Sequence, residues 1–114
     1  EEDWFYRDLY HAGNQIFMGV EAVNFQGKPV YAMSYYGTHK GTTDEEIDRI
    51  LREALLANWE IARIWKNIEW KKDNYKYECR PDFEGSIEEF AGIEKLFRQE
   101  KEIYRFFYAG GLIR

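Results

Sequence analysis

Two glutamates, Glu21 and Glu94, are the residues of this chain whose type and setting could support chemistry. Each stands two residues after a glycine in the motif Phe-x-Gly-x-Glu, which occurs once in each half of the chain. Two carboxylates that converge in one cleft could exchange protons with a substrate, hydrolyse a glycosidic bond or bind a hard cation. The structural alternative, which we favour, is that each accepts hydrogen bonds from backbone or tyrosine groups and fixes its own strand.

Aromatic residues that recur in both halves form the second group of candidates. One interpretation makes them the walls of a cleft for a flat or cationic ligand. Cross-strand aromatic packing is the simpler interpretation and the one we favour, although a buried tyrosine hydroxyl still needs a hydrogen-bond partner. With the two glutamates, the candidate ligand-binding residues are Glu21, Glu94, Trp4, Tyr6, Tyr31, Tyr35, Tyr75, Tyr77, Tyr104 and Tyr108.

The setting of these residues is an internal repeat. A shift of 73 positions places residues 17–37 on residues 90–110, with eight identities among the 21 aligned pairs and no gap. Unrelated segments would share about one or two, so the sequence predicts a duplication. We expect a single domain, 1–114, with repeat 1 at about 3–37, a helix at about 43–64 and repeat 2 at about 74–113.

The elements that position the candidates follow from the hydrophobic pattern. Alternation predicts strands at 4–10, 16–25 and 30–36, joined by short turns, and again at 88–98 and 102–108, with residues 75–77 matching the first strand. Thr43 with Glu46 is typical of a helix start. The segment 65–70 is ambiguous, since it alternates as a strand would. The predicted fold is α+β, an internally duplicated βββ-α-βββ with antiparallel sheet, quasi-twofold symmetry and one main helix.

Composition and charge exclude several classes of function. The net charge is −5, which argues against direct binding of nucleic acid, since that requires a basic surface. No apolar run is long enough to span a membrane. His11, His39 and Cys79 do not have metal-ligand spacing, so we expect no metal and no cofactor. The single cysteine gives no sign of an oxidising compartment, and we expect a cytoplasmic protein.

The order of motifs along the chain resembles one bacterial family. The motifs are Tyr-x-Asp-x-Tyr, the two Phe-x-Gly-x-Glu segments, Gly-Lys-Pro-Val-Tyr-Ala-Met-x-Tyr-Tyr-Gly at 27–37 and the closing Tyr-x-Gly-Gly-Leu-Ile at 108–113. The family is an uncharacterised domain found alone or C-terminal to an Xre-type helix-turn-helix in proteins classed as transcriptional regulators. The resemblance implies a regulatory context and no established activity.

Three classes of function remain open. The first, which we favour, is a non-catalytic binding module, an effector-sensing or assembly domain linked to bacterial transcriptional regulation. The second is a small acidic inhibitor that masks a basic surface of a partner protein. The third is an enzyme that uses the paired glutamates, which requires both carboxylates in one cleft. The expected partners are a small-molecule ligand or a protein. Many aromatic residues stand at alternating strand positions that would face solvent in a monomer, which predicts a homodimer.

Overall fold

The computed structural model describes residues 3–60 and 66–114 of the chain. Seven strands and one helix follow one another in the order β1–β3, α1, β4–β7. The elements are β1 Trp4–Ala12, β2 Ile16–Phe25, β3 Lys28–His39, α1 Asp44–Ala57, β4 Ile68–Lys72, β5 Tyr75–Pro81, β6 Phe90–Arg98 and β7 Lys101–Leu112.

The strands form one antiparallel sheet in the order β1-β2-β3-β7-β6-β5-β4. Two meanders, β1–β3 and β4–β7, therefore lie side by side and meet where β3 pairs with β7. The α+β class, the antiparallel sheet and the single helix were predicted from the sequence. The strand number differs from the prediction, because residues 68–72, which begin inside the ambiguous segment 65–70, pair with β5 as an additional strand.

Two hairpins of the sheet share their turn and their irregularity. Between β2 and β3, Gln26 and Gly27 both have positive φ, at 50° and 79°. Between β6 and β7, Gln99 and Glu100 do the same, at 49° and 67°. Two positive φ values suit the right-handed twist of the flanking strands. Each hairpin also has one register shift, at Val23/Asn24 and at Leu96/Phe97.

The helix begins as the sequence predicted and ends earlier. The Glu46 backbone N–H donates to Thr43 Oγ1 at 3.1 Å, which is the expected N-cap. The last helical residue is Ala57, and the Asn58 side-chain amide donates to the Ala54 carbonyl oxygen at 2.8 Å. That bond satisfies the Ala54 carbonyl, because the Asn58 backbone N–H donates instead to the Leu55 carbonyl oxygen at 3.3 Å. The predicted extension over 61–64 and Trp65 lies outside the described residues.

The core lies between α1 and one face of the sheet, here called the helix face; the opposite face is the open face. The helix side chains Ile47, Ile50 and Ala54 are buried, and α1 packs closest to β5. Tyr77, Leu96 and the other fully buried sheet residues come from β5 and β6. All nine residues of β1 are exposed. The helix therefore covers the β4–β7 half and leaves much of the β1–β3 half open.

Candidate functional site

A cleft of about 430 Å³ lies between α1 and the helix face of β1–β3. It forms because the helix sits over the other meander and one of its flanks faces the uncovered strands. Residues of β1, β2, β3, α1 and β7 line it, namely Asp8, Tyr10, Ala12, Gly13, Ile16, Phe17, Glu21, Met33, Tyr35, His39, Asp44, Ile47, Asp48, Leu51, Tyr104 and Phe106.

The floor of the cleft is built from packed aromatic rings. The Phe17 ring stacks on those of Tyr104 and Phe106, with centroids 6.3 Å and 6.1 Å apart, and the Tyr35 ring stacks on Phe106 at 5.5 Å. The Phe17 ring lies directly over Gly37, where a Cβ would come within 2.2 Å of it. Rings held by several neighbours give a rigid apolar floor that is formed before any ligand arrives.

Two carboxylates stand on the sheet side of the cleft. Asp8 and Glu21 are direct cross-strand neighbours on β1 and β2. The Tyr35 hydroxyl donates to Asp8 Oδ1 at 2.6 Å and the Tyr6 hydroxyl donates to Glu21 Oε2 at 2.8 Å. Burial, and then the bond to Glu21, raises the pKa of Tyr6 to about 12, and burial and the bond to Asp8 likewise raise the pKa of Tyr35. Both hydroxyls therefore stay protonated and act as donors.

Two more carboxylates stand on the helix side. Asp44 and Asp48 are one helical turn apart and both line the cleft. His39 Nε2 lies 3.6 Å from Asp44 Oδ1. Among the described residues that line the cleft, none is lysine or arginine. Its field is therefore negative, and the low dielectric of the ring floor strengthens that field.

The opposite flank of α1 is fastened to the β4–β7 half. Glu46 accepts from the Thr42 hydroxyl at 2.6 Å, from the Tyr75 hydroxyl and from Arg98 Nη1 at 2.5 Å. These donors, Thr42 first, lower the pKa of Glu46 to about 2. A second pair joins Glu53 to Lys72 at 2.8 Å. This attachment fixes the position of the helix and so the width of the cleft.

The two glutamates singled out in the sequence occupy different surroundings. Glu94 is fully buried and accepts a hydrogen bond from the Tyr77 hydroxyl. Glu21 is half-buried and borders the cleft. Strands β3 and β7 lie between their strands, which puts the two backbones about 14 Å apart at ordinary strand spacing. The carboxylates do not meet in one cleft, which was the geometry that the enzyme hypothesis required.

The glycine before each glutamate makes room for a tyrosine hydroxyl. A Cβ on Gly19 would lie 2.7 Å from the Tyr35 hydroxyl, and one on Gly92 would lie 2.5 Å from the Tyr108 hydroxyl. The observed register pairs Gly19 with Tyr35 and Gly92 with Tyr108.

Three of the ten candidate ligand-binding residues line the cleft: Glu21, Tyr35 and Tyr104. Tyr6 bonds to Glu21 from the neighbouring strand. The others lie elsewhere. Trp4 packs against Phe25 at the exposed edge, Tyr31 stacks on Phe90, Tyr75 bonds to Glu46, and Glu94, Tyr77 and Tyr108 lie in the core.

Sequence reasoning missed the acidic character of the cleft. Asp8, Asp44 and Asp48 were not among the candidates. The sequence did contain a pattern for each of the two pairs of carboxylates that line the cleft. Asp8 and Glu21 share a face once β1 pairs with β2, and Asp44 and Asp48 have the i,i+4 spacing of one helix face. What the sequence did not reveal is that these two walls face each other.

Comparison with known families places the chain. Residues 8–113 match DUF5680, a domain of unknown function. The chain belongs to this family. The resemblance to an uncharacterised domain is thereby confirmed, while the link to Xre-type regulators stays a prediction. No curated protein and no solved structure matches the chain.

Two general kinds of feature are absent from residues 3–60 and 66–114. Within that part of the chain, no three histidine, cysteine or acidic side chains are grouped so that they could hold a metal ion. None of the helical residues there form a segment long and apolar enough to cross a membrane.

Proposed function

We propose that this DUF5680 chain is a non-catalytic binding module whose cleft takes a small organic cation with an apolar body. The observation that carries the proposal is the lining of the cleft, in which four carboxylates surround a floor of stacked rings. An ammonium or guanidinium group gains from the negative field and from the faces of the rings, and the apolar body gains from the floor. An anionic ligand would be repelled by every charged wall.

The size and rigidity of the cleft support the same class of ligand. A volume of about 430 Å³ lies within the range of small-molecule pockets. Asp8 and Glu21 each use one carboxylate oxygen to accept a hydrogen bond from a tyrosine hydroxyl. We assign the other oxygen of each carboxylate to the ligand cation. The tyrosines hold the carboxylates in place, so little conformational entropy is lost on binding.

We further propose that the module serves as an effector-sensing or assembly domain of bacterial transcriptional regulators in the cytoplasm. The resemblance described above supports that context. We also propose that the chain arose by internal duplication. The eight sequence identities support this, as do the register shifts of the two hairpins, which are separated by the same 73 positions.

The test uses three probes with one ring and different charge: 2-phenylethylamine, 2-phenylethanol and phenylacetate. Calorimetry at pH 7.5 should detect the amine most strongly, and Asp8→Asn and Asp48→Asn should each weaken it about tenfold. Asp82→Asn is the matched control, since Asp82 is exposed and lies outside the residues that line the cleft. Equal affinity for amine and acid, or equal weakening by the control, would refute the cation preference.

A further inference from the structure

The open face of the sheet divides into two parts of different chemistry. Over β4–β7 it carries charges that pair with one another. Glu78 lies 3.1 Å from Lys76 and 3.5 Å from Arg80, and Glu102 lies 2.7 Å from Arg105 and 3.6 Å from Lys95. Over β1–β3 and the adjoining residues of β7 it is apolar. The second part, called the apolar patch, consists of Leu9, Met18, Val20, Tyr36 and Phe107.

The apolar patch is continuous across four strands. In one cross-strand row Met18 pairs with Tyr36, and Tyr36 with Phe107. In the next row Leu9 pairs with Val20, and the row continues to Ser34 and Ala109. These side chains are between 36 % and 60 % exposed. Scattered apolar residues are normal on a surface, but a contiguous patch of this kind marks an interaction site.

We infer that the apolar patch is the interface at which a second copy of this chain docks, face to face, in a symmetric dimer. This goes beyond the proposed ligand site, which lies on the opposite face of the sheet. Three properties of the patch select a second copy as its occupant.

The first property is area. Taking about 200 Å² for a whole large residue, the observed exposures leave roughly 500 Å² of apolar side chain on each copy. Two copies would bury about 1,000 Å², which is the lower bound for a specific interface. The patch is therefore large enough for a dimer of two small domains, and it lies in the size range of apolar patches that are often functional.

The second property is shape. The patch contains a shallow depression of about 670 Å³ whose floor includes Ser34 and Ala109 and whose rim includes Leu9, Tyr36 and Phe107. The Ser34 hydroxyl bonds to the Ala109 carbonyl oxygen at 3.3 Å, so the floor presents no unsatisfied hydroxyl. An isologous interface needs one surface that holds both a protrusion and the hollow that receives it. The rings of the rim and the small residues of the floor provide both.

The third property is charge. Arg7 is the formal charge at the border of the patch on β1, and the charges of the neighbouring β4–β7 half pair with one another. A nucleic acid or an anionic membrane requires a concentrated basic surface. The open face does not offer one among its described residues. A second copy of the patch is uncharged, so its binding does not require a basic surface on the open face.

The experiment compares the wild-type chain with Val20→Lys at the centre of the patch. Sedimentation equilibrium from about 1 to 200 μM should show a concentration-dependent dimer for the wild type. Val20→Lys should weaken dimerisation at least tenfold, because a lysine ammonium would be buried against a copy of itself. Leu56→Lys is the matched control, since Leu56 is 68 % exposed on the helix and outside the patch. Circular dichroism and thermal melts confirm that each variant remains folded.

A second readout places the dyad. Ser34→Cys in the floor should be crosslinked to a dimer by a short bis-maleimide, whereas Leu56→Cys should not, and the native Cys79 is buried. A monomeric wild type at 200 μM would overturn the inference. A dimer that survives Val20→Lys unchanged, or that crosslinks through Leu56→Cys instead, would overturn the assignment to this face.

Discussion

The two meanders contain corresponding groups of four side chains, three of them of the same residue type, in two different environments. In the first, Tyr6 bonds to Glu21 and Tyr35 bonds to Asp8. In the second, Tyr77 bonds to Glu94 and Tyr108 contacts Cys79 Sγ at 3.3 Å. The first group is half-exposed beside the cleft, and the second is buried in the core beneath the helix. The position that is Asp8 in the open group is Cys79 in the covered group.

The difference shows which side chains can be buried beside a glutamate in the core. A second carboxylate beside Glu94 would place two negative charges side by side in a low dielectric, which costs several kcal/mol. A thiol at that position is small and uncharged, so it can be buried in a core at little cost. Solvent at the open group permits the second carboxylate to stay, and that carboxylate supplies the negative charge on which the proposed ligand site depends.

The largest expected effect comes from moving the carboxylate to the covered group. Cys79→Asp should destabilise the protein by more than about 4 kcal/mol, because it places a charge directly opposite Glu94 in the core. Asp8→Cys should cost less than about 1 kcal/mol. Urea unfolding of both variants measures the difference, and similar losses for the two would show that the environments are alike.

The next effect concerns the phenylalanine that opens each Phe-x-Gly-x-Glu motif. Phe90 is 3 % exposed and Phe17 is half-buried. Phe90→Ala should cost about 3–5 kcal/mol, the usual value for a buried ring, and Phe17→Ala about half of that. Thermal melts of the two variants test the ranking. A larger loss at Phe17 would mean that the cleft floor, rather than the covered half, carries the core.

A smaller effect is expected from the glutamates. Glu94→Gln should destabilise by about 1.5–3 kcal/mol, because it weakens a charge-assisted hydrogen bond in the core. Glu21→Gln should be near neutral or slightly stabilising, since it relieves repulsion between directly opposed carboxylates on neighbouring strands. Melting temperatures near pH 7 give the sign for each variant. A clear loss at Glu21 would make that residue scaffold, and a gain at Glu94 would contradict its structural role.

An effect comparable to that of Glu94→Gln is expected in acid, through the attachment of the helix that separates the two environments. The folded pKa of Glu46 is about 2, below the ordinary value of 4.5. Its contribution is therefore fully present above about pH 5 and is lost as pH falls towards 2, which amounts to about 3 kcal/mol. The stability of the wild type and of Glu46→Gln should differ at pH 6 and converge near pH 2. A constant difference across that range would exclude the linkage.

Local patterns predicted most of the fold because the residues that signal an element also form it. Strand β2 was predicted with its observed bounds, and the Thr43 cap placed the start of α1. Strand β4 was ambiguous because its alternation could not be separated from the preceding helical pattern. The segment forms a strand because it pairs with β5. The strand propensities of its own residues do not predict that pairing.

The candidate site was less predictable, for a physical reason. Glu21 and Glu94 sit in the same motif, so local sequence assigns them the same role. Their burial differs because α1 covers one meander and leaves the other open. That choice is made by Ile47, Ile50 and Ala54 on one helix face together with the attachment of Glu46 to Arg98. Tertiary placement of one element thus separates a candidate site from its buried counterpart.

The seam between β3 and β7 has a consequence for the speed of folding. Every other pairing in the described sheet joins strands that are neighbours along the chain, whereas Tyr35 pairs with Tyr108 across 73 positions. Each meander can therefore zip locally on the microsecond scale of hairpins, and the entropy of closing a long loop is lost in a single later step. Substitutions along the seam, such as Met33→Ala, should slow folding, whereas those in β1 should mainly accelerate unfolding.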